Sequence, residues 1–371
     1  MLLTCKAKLN CSDEQLSDIQ ATLAACNAAA NVASSIANDT KTYSRFSLHK
    51  KAYKQLRAQF GLSAQTAVRV IGKVADAYKK KKTKHQFKKL GAVPFDSRNL
   101  TFHEDHITIR LLAGRVKIPM SLGEYQKYLL QFPKGEADLF VKNGEAYLSV
   151  SVEVPEAELR ESSQFIGVDM GIVNLAVDSL GNVYSGKPID KTRERVARLR
   201  AGLQSTGTKS AKRHLKKLGN YESRFRRHVN HVISKELVKL ANDTQSGIAL
   251  EALRKIEKKV KRAQRARHNG WAFYQLRAFI EYKAKRSGTN VVFVNPAYTS
   301  QMCSACGYVD KNNRKGQSGF LCVLCGHKEN ADLNAAKNIA SRALVNMPIV
   351  ADRTCESKLD PVAMPPALCR R

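Results

Sequence analysis

Four cysteines and three carboxylates carry the chemistry that this sequence can support. Cys303-x2-Cys306 is followed, after fifteen residues, by Cys322-x2-Cys325, the spacing of a four-cysteine zinc site. Each pair predicts a tight turn that aims two thiolates at one ion, with Gly307 and Gly326 placed where the backbone must fold back. The loop between them, "GYVDKNNRKGQSGFL", is polar and basic and offers little apolar material to fold around without metal. Four thiolates close the coordination shell, so a single Zn2+ is expected to be structural and to add on the order of 10 kcal/mol of local folding energy. His327 is read as a loop residue.

The acids are Asp169, Glu251 and Asp332. Asp169 ends the apolar stretch "FIGVD" ahead of a glycine, Glu251 follows "GIAL", and Asp332 opens the small-residue helix "ADLNAAKNIA". A carboxylate beside an apolar run is costly unless cations or donors face it. Ala335 and Ala336 would let that helix approach a sheet closely. Two strands and one helix can bring three acids together around two Mg2+ ions about 4 Å apart, the arrangement that cleaves phosphodiesters by in-line attack. Singly, each acid reads as well as a cap or a solvated loop residue; the case lies in the combination. Asp178 is the best rival but reads as a turn residue, and Glu257, among lysines, reads as a surface ion pair.

Charge indicates the partner. Lys and Arg number 63 against 32 Asp and Glu, a net +31 with a pI near 9.9. Such an excess opposes compaction unless a polyanion neutralises it, which favours nucleic acid and, more weakly, an anionic membrane surface. The densest runs are "YKKKKTKHQFKKL", with Lys79, Lys80, Lys81 and Lys82, and "RKIEKKVKRAQRARHNGW", with Arg254, Lys258, Lys261, Arg262 and Arg265. The second follows directly on Glu251 and would flank a phosphate held there, with affinity falling steeply as salt rises. Trp271, Phe273 and Tyr274 are read as core before they are read as base-stacking groups. His228 and His231 are read as phosphate or surface contacts. Cys5, Cys11, Cys26, Cys355 and Cys369 have no partner spacing and are taken as ordinary residues.

The elements that must position these groups follow from periodicity. With 371 residues, 43% hydrophobic, the chain can bury more than one core, and two or three domains are expected. "MLLTCKAKLN" alternates as a strand does. Helical period then takes over, with Ser12 or Asp13 as cap and a break at Gly61 and Ser63. From Val93 to Pro155 short strands return, turning at Ala113-Gly114 and Asn143-Gly144. The N-terminal half thus reads as an antiparallel β-barrel, 1–10 and 91–160, with a helical insertion at 11–90. Beyond Gln164 a strand meander turning at Gly181-Asn182, basic helices over about 190–242, "GIALEAL", a basic helix near 253–287 and "NVVFVNP" alternate as an α/β domain does. The tail, 346–371, has no period and is expected to be disordered. No apolar run approaches the roughly 18 residues of a membrane span, and "MLLTCKAKLNCSDE" lacks a signal-peptide core. A soluble protein of the cytoplasm, nucleoid-associated, is expected.

In their order, "GVDMGIVNLAV", "LEAL", "YTSQMCSACG" and "ADLNAAKNIA" resemble TnpB, the insertion-sequence-encoded RNA-guided nuclease family related to type V CRISPR effectors. The resemblance is specific over about 164–343. It implies an RNase H-like (RuvC) nuclease domain, 164–298 and 328–345, whose Asp, Glu, Asp set falls on Asp169, Glu251 and Asp332. It further implies an inserted zinc ribbon at 299–327 that loads the target strand, and an N-terminal barrel (wedge-like) and helical recognition domain that grip a guide RNA and read a short DNA motif. The expected activity is Mg2+-dependent, RNA-guided cleavage of double-stranded DNA by a mobile element's protein, acting as a monomer in a bacterial-type cell. The rival readings are an RNA-guided or zinc-ribbon regulator that binds without cutting, and a DNA transposase.

Overall fold

The computed structural model describes residues 1–252 and 273–345. Arg254, Lys258, Lys261, Arg262, Arg265, Glu257, Trp271 and the 346–371 tail lie outside the described residues. The chain divides into two compact units, Met1–Pro155 and the part from Glu156 onward.

In the first unit, strand β1 (Leu2–Leu9) leads into helix α1 (Asp13–Asp39) through a capping box. Ser12 Oγ accepts the Gln15 N–H, and the Gln15 side chain accepts the Ser12 N–H, both at 3.1 Å. Helices α2 (Arg45–Phe60) and α3 (Ala64–Lys80) are divided where Gly61 takes a left-handed φ of 63° and Ser63 caps the next helix. The strands that follow are β2 (Val93–Phe95), β3 (Leu100–Phe102), β4 (His106–Arg110), β5 (Arg115–Ser121), β6 (Lys134–Lys142) and β7 (Glu145–Glu153), with the short helix α4 (Glu124–Leu130) after β5. They pair with β1 in one seven-stranded antiparallel sheet of order β2-β6-β7-β1-β5-β4-β3. The expected turns at Gly114 and Gly144 take φ of 145° and 82°. Periodicity missed β2, β3 and α4, because elements of three to seven residues are too short to show a period. A single apolar core runs through helices and sheet alike, from Leu23 and Ile71 to Leu139 and Val150.

The second unit is built on a mixed five-stranded sheet, β10-β9-β8-β11-β12. Strands β8 (Phe165–Asp169), β9 (Asn174–Asp178) and β10 (Val183–Ser185) form the antiparallel meander, while β11 (Gly247–Glu251) and β12 (Val291–Val294) run parallel to β8. Between them lie α5 (Lys187–Thr206), α6 (Lys209–Leu218), α7 (Tyr221–Asp243) and α8 (Phe273–Ser287). A two-stranded hairpin, β13 (Gly319–Leu321) and β14 (Lys328–Asn330), precedes α9 (Ala331–Val345).

Strand alternation then decides which side chains meet, since successive residues face opposite sides of a sheet. Ile166, Val168, Ile248 and Leu250 pack in one core with Leu237 of α7 and Ile280 of α8. Phe165 and Ala249 face the other way and pack with Ile339 and Ala343 of α9. Asp169 and Glu251, in phase with Phe165 and Ala249, therefore share the α9 side. The approach of α9 is close: a Cβ on Gly167 would lie 2.0 Å from the Ala336 carbonyl oxygen. Ala335 and Ala336 are buried there, as their small size predicts.

Candidate nuclease site and zinc module

Asp169 and Glu251 each stand one residue beyond the registered pair Val168–Leu250 on neighbouring parallel strands. Asp332 stands in the first turn of α9, where the positive end of the helix dipole favours a carboxylate. Asn330 Oδ1 accepts the N–H groups of Asp332 and Leu333, at 2.9 and 3.2 Å, and so fixes the start of that helix. Three positions spread over more than 160 residues of sequence are thus brought to one end of one sheet.

Electrostatics couples them. Burial pushes the half-buried Asp169 carboxyl up to about 7, and the negative charges of Glu251 and Asp332 add to the shift while Arg314 opposes it. Burial raises Glu251 as well, against the hydroxyl bond from Thr299 and the charge of Arg342. Carboxylates that hinder one another's ionisation are short of positive charge. Asp332 is the best compensated, with Arg314 Nη2 3.3 Å from Oδ1 and Asn174 Nδ2 donating to Oδ2 at 2.9 Å. Asp178, the rival acid, is a fully buried turn residue: its Oδ1 accepts the N–H groups of Leu180 and Asn182, both at 3.0 Å.

The four cysteines make a tighter cluster. Their sulfur atoms all lie within 4.8 Å of one another, and no other group of metal-ligating side chains among the described residues does so. Cys303 and Cys325 approach to 3.7 Å, Cys306 and Cys322 to 3.6 Å. Each knuckle repeats the same backbone bonds. The N–H of Gly307 reaches the Cys303 carbonyl at 2.9 Å, that of Gly326 the Cys322 carbonyl at 3.0 Å. Both glycines take φ near 75°, at 75° and 74°, a region other side chains avoid. Backbone N–H groups of Cys325 and Leu324 help to pull the Cys322 thiol down, while the neighbouring sulfurs help to push Cys306 up. His327 lies outside the cluster, 3.5 Å from the Glu329 carboxylate. The set fits one four-coordinate zinc ion.

Module and acids are joined by α9. Asn334 accepts the Ser304 N–H at 2.9 Å and donates to the Met302 carbonyl at 2.8 Å. The Ala331 N–H, next to Asp332, binds the Ser318 carbonyl at 2.9 Å. Arg314, which reaches Asp332, lies between the two cysteine pairs. Sequence reasoning passed over Arg314, Asn174, Thr299, Asn334 and Asn338, because none has a diagnostic spacing. The available signal was the need of a half-buried carboxylate for donors.

Lys79 to Lys82 are exposed at the C-terminal end of α3, where cations suit the helix dipole, and Lys79 pairs with Asp76 at 2.8 Å. Phe273 is buried as expected, but Tyr274 is 55% exposed because α8 turns that position outward. His231 stacks on Phe279 with centroids 3.9 Å apart, and His228 lines a cavity beside Tyr184 and Phe225. Among the described residues, no helix is long and apolar enough to cross a membrane.

The family model "Probable transposase" matches residues 148–257, and "Cas12f1-like, TNB domain" matches 273–339. A TnpB-like protein of Methanocaldococcus jannaschii is 27% identical over 62% of this chain and 87% of its own length. Over these residues the chain is similar to TnpB-like proteins. The CRISPR-associated endodeoxyribonuclease Cas12f1 of Sulfoacidibacillus thermotolerans is 31% identical over 59% of this chain and 54% of that protein. The putative RNA-guided DNA endonuclease InsQ of Escherichia coli K12 is 32% identical over 53% of each. The chain spans about half the length of these two relatives. A solved Cas12f1-sgRNA-target DNA complex has the same fold at a TM-score of 0.60 and 16% identity, covering 87% of this chain and 81% of that one.

Proposed function

We propose that the chain is an RNA-guided DNA endonuclease of a mobile element, and that Asp169, Glu251 and Asp332 are the ligands of two Mg2+ ions in a RuvC-like site. The observation that carries this reading is the meeting of three acids at one sheet end, where burial, and then the charges of Glu251 and Asp332, raise Asp169 to about 7. Bound there, the cations would activate a water and neutralise charge on the phosphate. The chain's own part is to hold the acids ionised and oriented, with Arg314 beside Asp332 and Thr299 on Glu251.

The zinc ribbon at 299–327 is structural in this reading. The sheet of the first unit serves as a barrel-like wedge, and the α1–α3 helices serve as the recognition domain for guide RNA and target. Lys79 to Lys82 contribute to the nucleic-acid surface. Guide pairing supplies sequence specificity, and the protein supplies a motif check and the cut.

Sequencing the RNA that copurifies, followed by plasmid cleavage with and without Mg2+ and that RNA, tests the proposal. A defined RNA ending in a variable segment and metal-dependent cuts are expected. Random cellular RNA without cutting would favour the binding regulator. The "Probable transposase" match gives the third reading one observation, and 3′-OH joining products would establish it.

A further inference from the structure

The loop from Asn295 to Met302 is fixed at more points than a short connection needs. Arg342 Nη1 of α9 donates to the carbonyls of Asn295 and Ala297 at 2.6 and 2.7 Å. Asn338 Nδ2, also on α9, donates to the carbonyls of Thr299 and Met302 at 2.9 and 2.7 Å. Asn338 itself is buried to 1% exposure, so its amide is committed to this loop. Tyr298 takes φ of 62°, a left-handed backbone that an aromatic residue seldom adopts and that persists only where the surroundings over-determine it. All of this fixes the direction of one group. Thr299, 3% exposed, points its hydroxyl at Glu251 Oε1, and the Pro296 carbonyl lies 3.1 Å from the Thr299 Oγ1.

A glutamate at a strand end has three side-chain torsions to settle. A single donor on one carboxylate oxygen settles them and leaves the other oxygen for a ligand. We propose that Thr299 is the positioning residue for Glu251, and that Asn338 sets Thr299, so that α9 places Asp332 directly and Glu251 through this relay. The inference rests on the divalent-cation reading of the carboxylates. The zinc module is strapped to the same helix through Asn334, so the relay gives the module a route to two of the three acids.

The test uses the full-length, zinc-replete chain with Mn2+ as probe, bound ion being followed by the loss of the free-ion paramagnetic resonance signal. Thr299→Val keeps the shape and removes the donor; it should weaken Mn2+ binding about ten- to a hundredfold, as loss of a ligand's supporting hydrogen bond does. Thr299→Ser restores the donor and should return binding to within about threefold of wild type, since the hydrogen bond is re-formed. Asn338→Ala should weaken binding in the same direction, and combined with Thr299→Val it should add little, because both act through one bond. Thermal melts verify that each variant is folded. Wild-type binding by Thr299→Val, or a folded Thr299→Ser as weak as Thr299→Val, would overturn the relay. A wild-type chain that binds Mn2+ through Glu251, as shown by loss in Glu251→Gln, yet cuts no DNA would sink the nuclease reading and leave the relay standing. Absence of Glu251-dependent Mn2+ binding would overturn both.

Discussion

The sulfur cluster and the carboxylate cluster sit within one unit and are built in opposite ways. The four sulfurs come from 23 consecutive residues, Cys303 to Cys325, gather within 4.8 Å, and are aimed by backbone bonds repeated at each knuckle. The three acids come from distant positions and are held by side chains borrowed from elsewhere: Asn174, Thr299 and Arg314. A closed, locally made site suits a metal that only has to stay. The carboxylate cluster instead leaves Asp169 and Glu251 half-buried with raised pKa values, as ligands kept open for a reaction would be. Local geometry makes the sulfur cluster, and tertiary geometry makes the carboxylate cluster.

The strongest way to break this contrast is to remove an acid. Asp169→Ala, Glu251→Ala or Asp332→Ala should abolish DNA cutting while RNA and target binding persist, as read by gel shift beside a cleavage assay. Full cutting by Asp169→Ala would end the site assignment.

Next comes the sulfur cluster. Zinc removal or Cys325→Ser should cost on the order of 10 kcal/mol of local folding energy in the module and impair cutting through Arg314, Asn334 and the Ala331–Ser318 bond. Zinc content by elemental analysis, paired with cleavage rate, checks it. A zinc-free variant that cuts normally would show the two sites to be independent.

Gly167→Ala probes the packing that brings them together. The added methyl would meet the Ala336 carbonyl oxygen at 2.0 Å, so α9 must shift, at a cost of at least about 1–3 kcal/mol. Urea unfolding should show that loss, and cutting should fall further than stability alone explains, because Asp332 rides on the displaced helix.

The smallest effect should come from Asp169→Asn in metal-free protein. Asp169 has its folded value raised from 3.8 to about 7, so the folded state holds a proton that the unfolded state releases. Stability therefore declines as pH rises through that window. The asparagine variant, neutral throughout, should melt higher than wild type by on the order of 2–4 °C at about pH 8. The gap should close toward about pH 4. Parallel pH profiles for the two proteins would mean that Asp169 is not held at a cost.

The sequence by itself determined what local chemistry determines. The Ser12 capping box, the Gly61 and Ser63 helix break, the turns at Gly114 and Gly144, and both cysteine knuckles each depend on a few adjacent residues whose types fix the backbone. It also marked the three acids, because an acid ending an apolar run is conspicuous. Only the tertiary structure decided that strand alternation turns Asp169 and Glu251 toward α9, that Gly167 admits α9 closely enough to deliver Asp332, and that Arg314 and Thr299 attend the carboxylates. These relations join residues far apart in the chain. They arise from packing and burial, which leave no period or spacing to read.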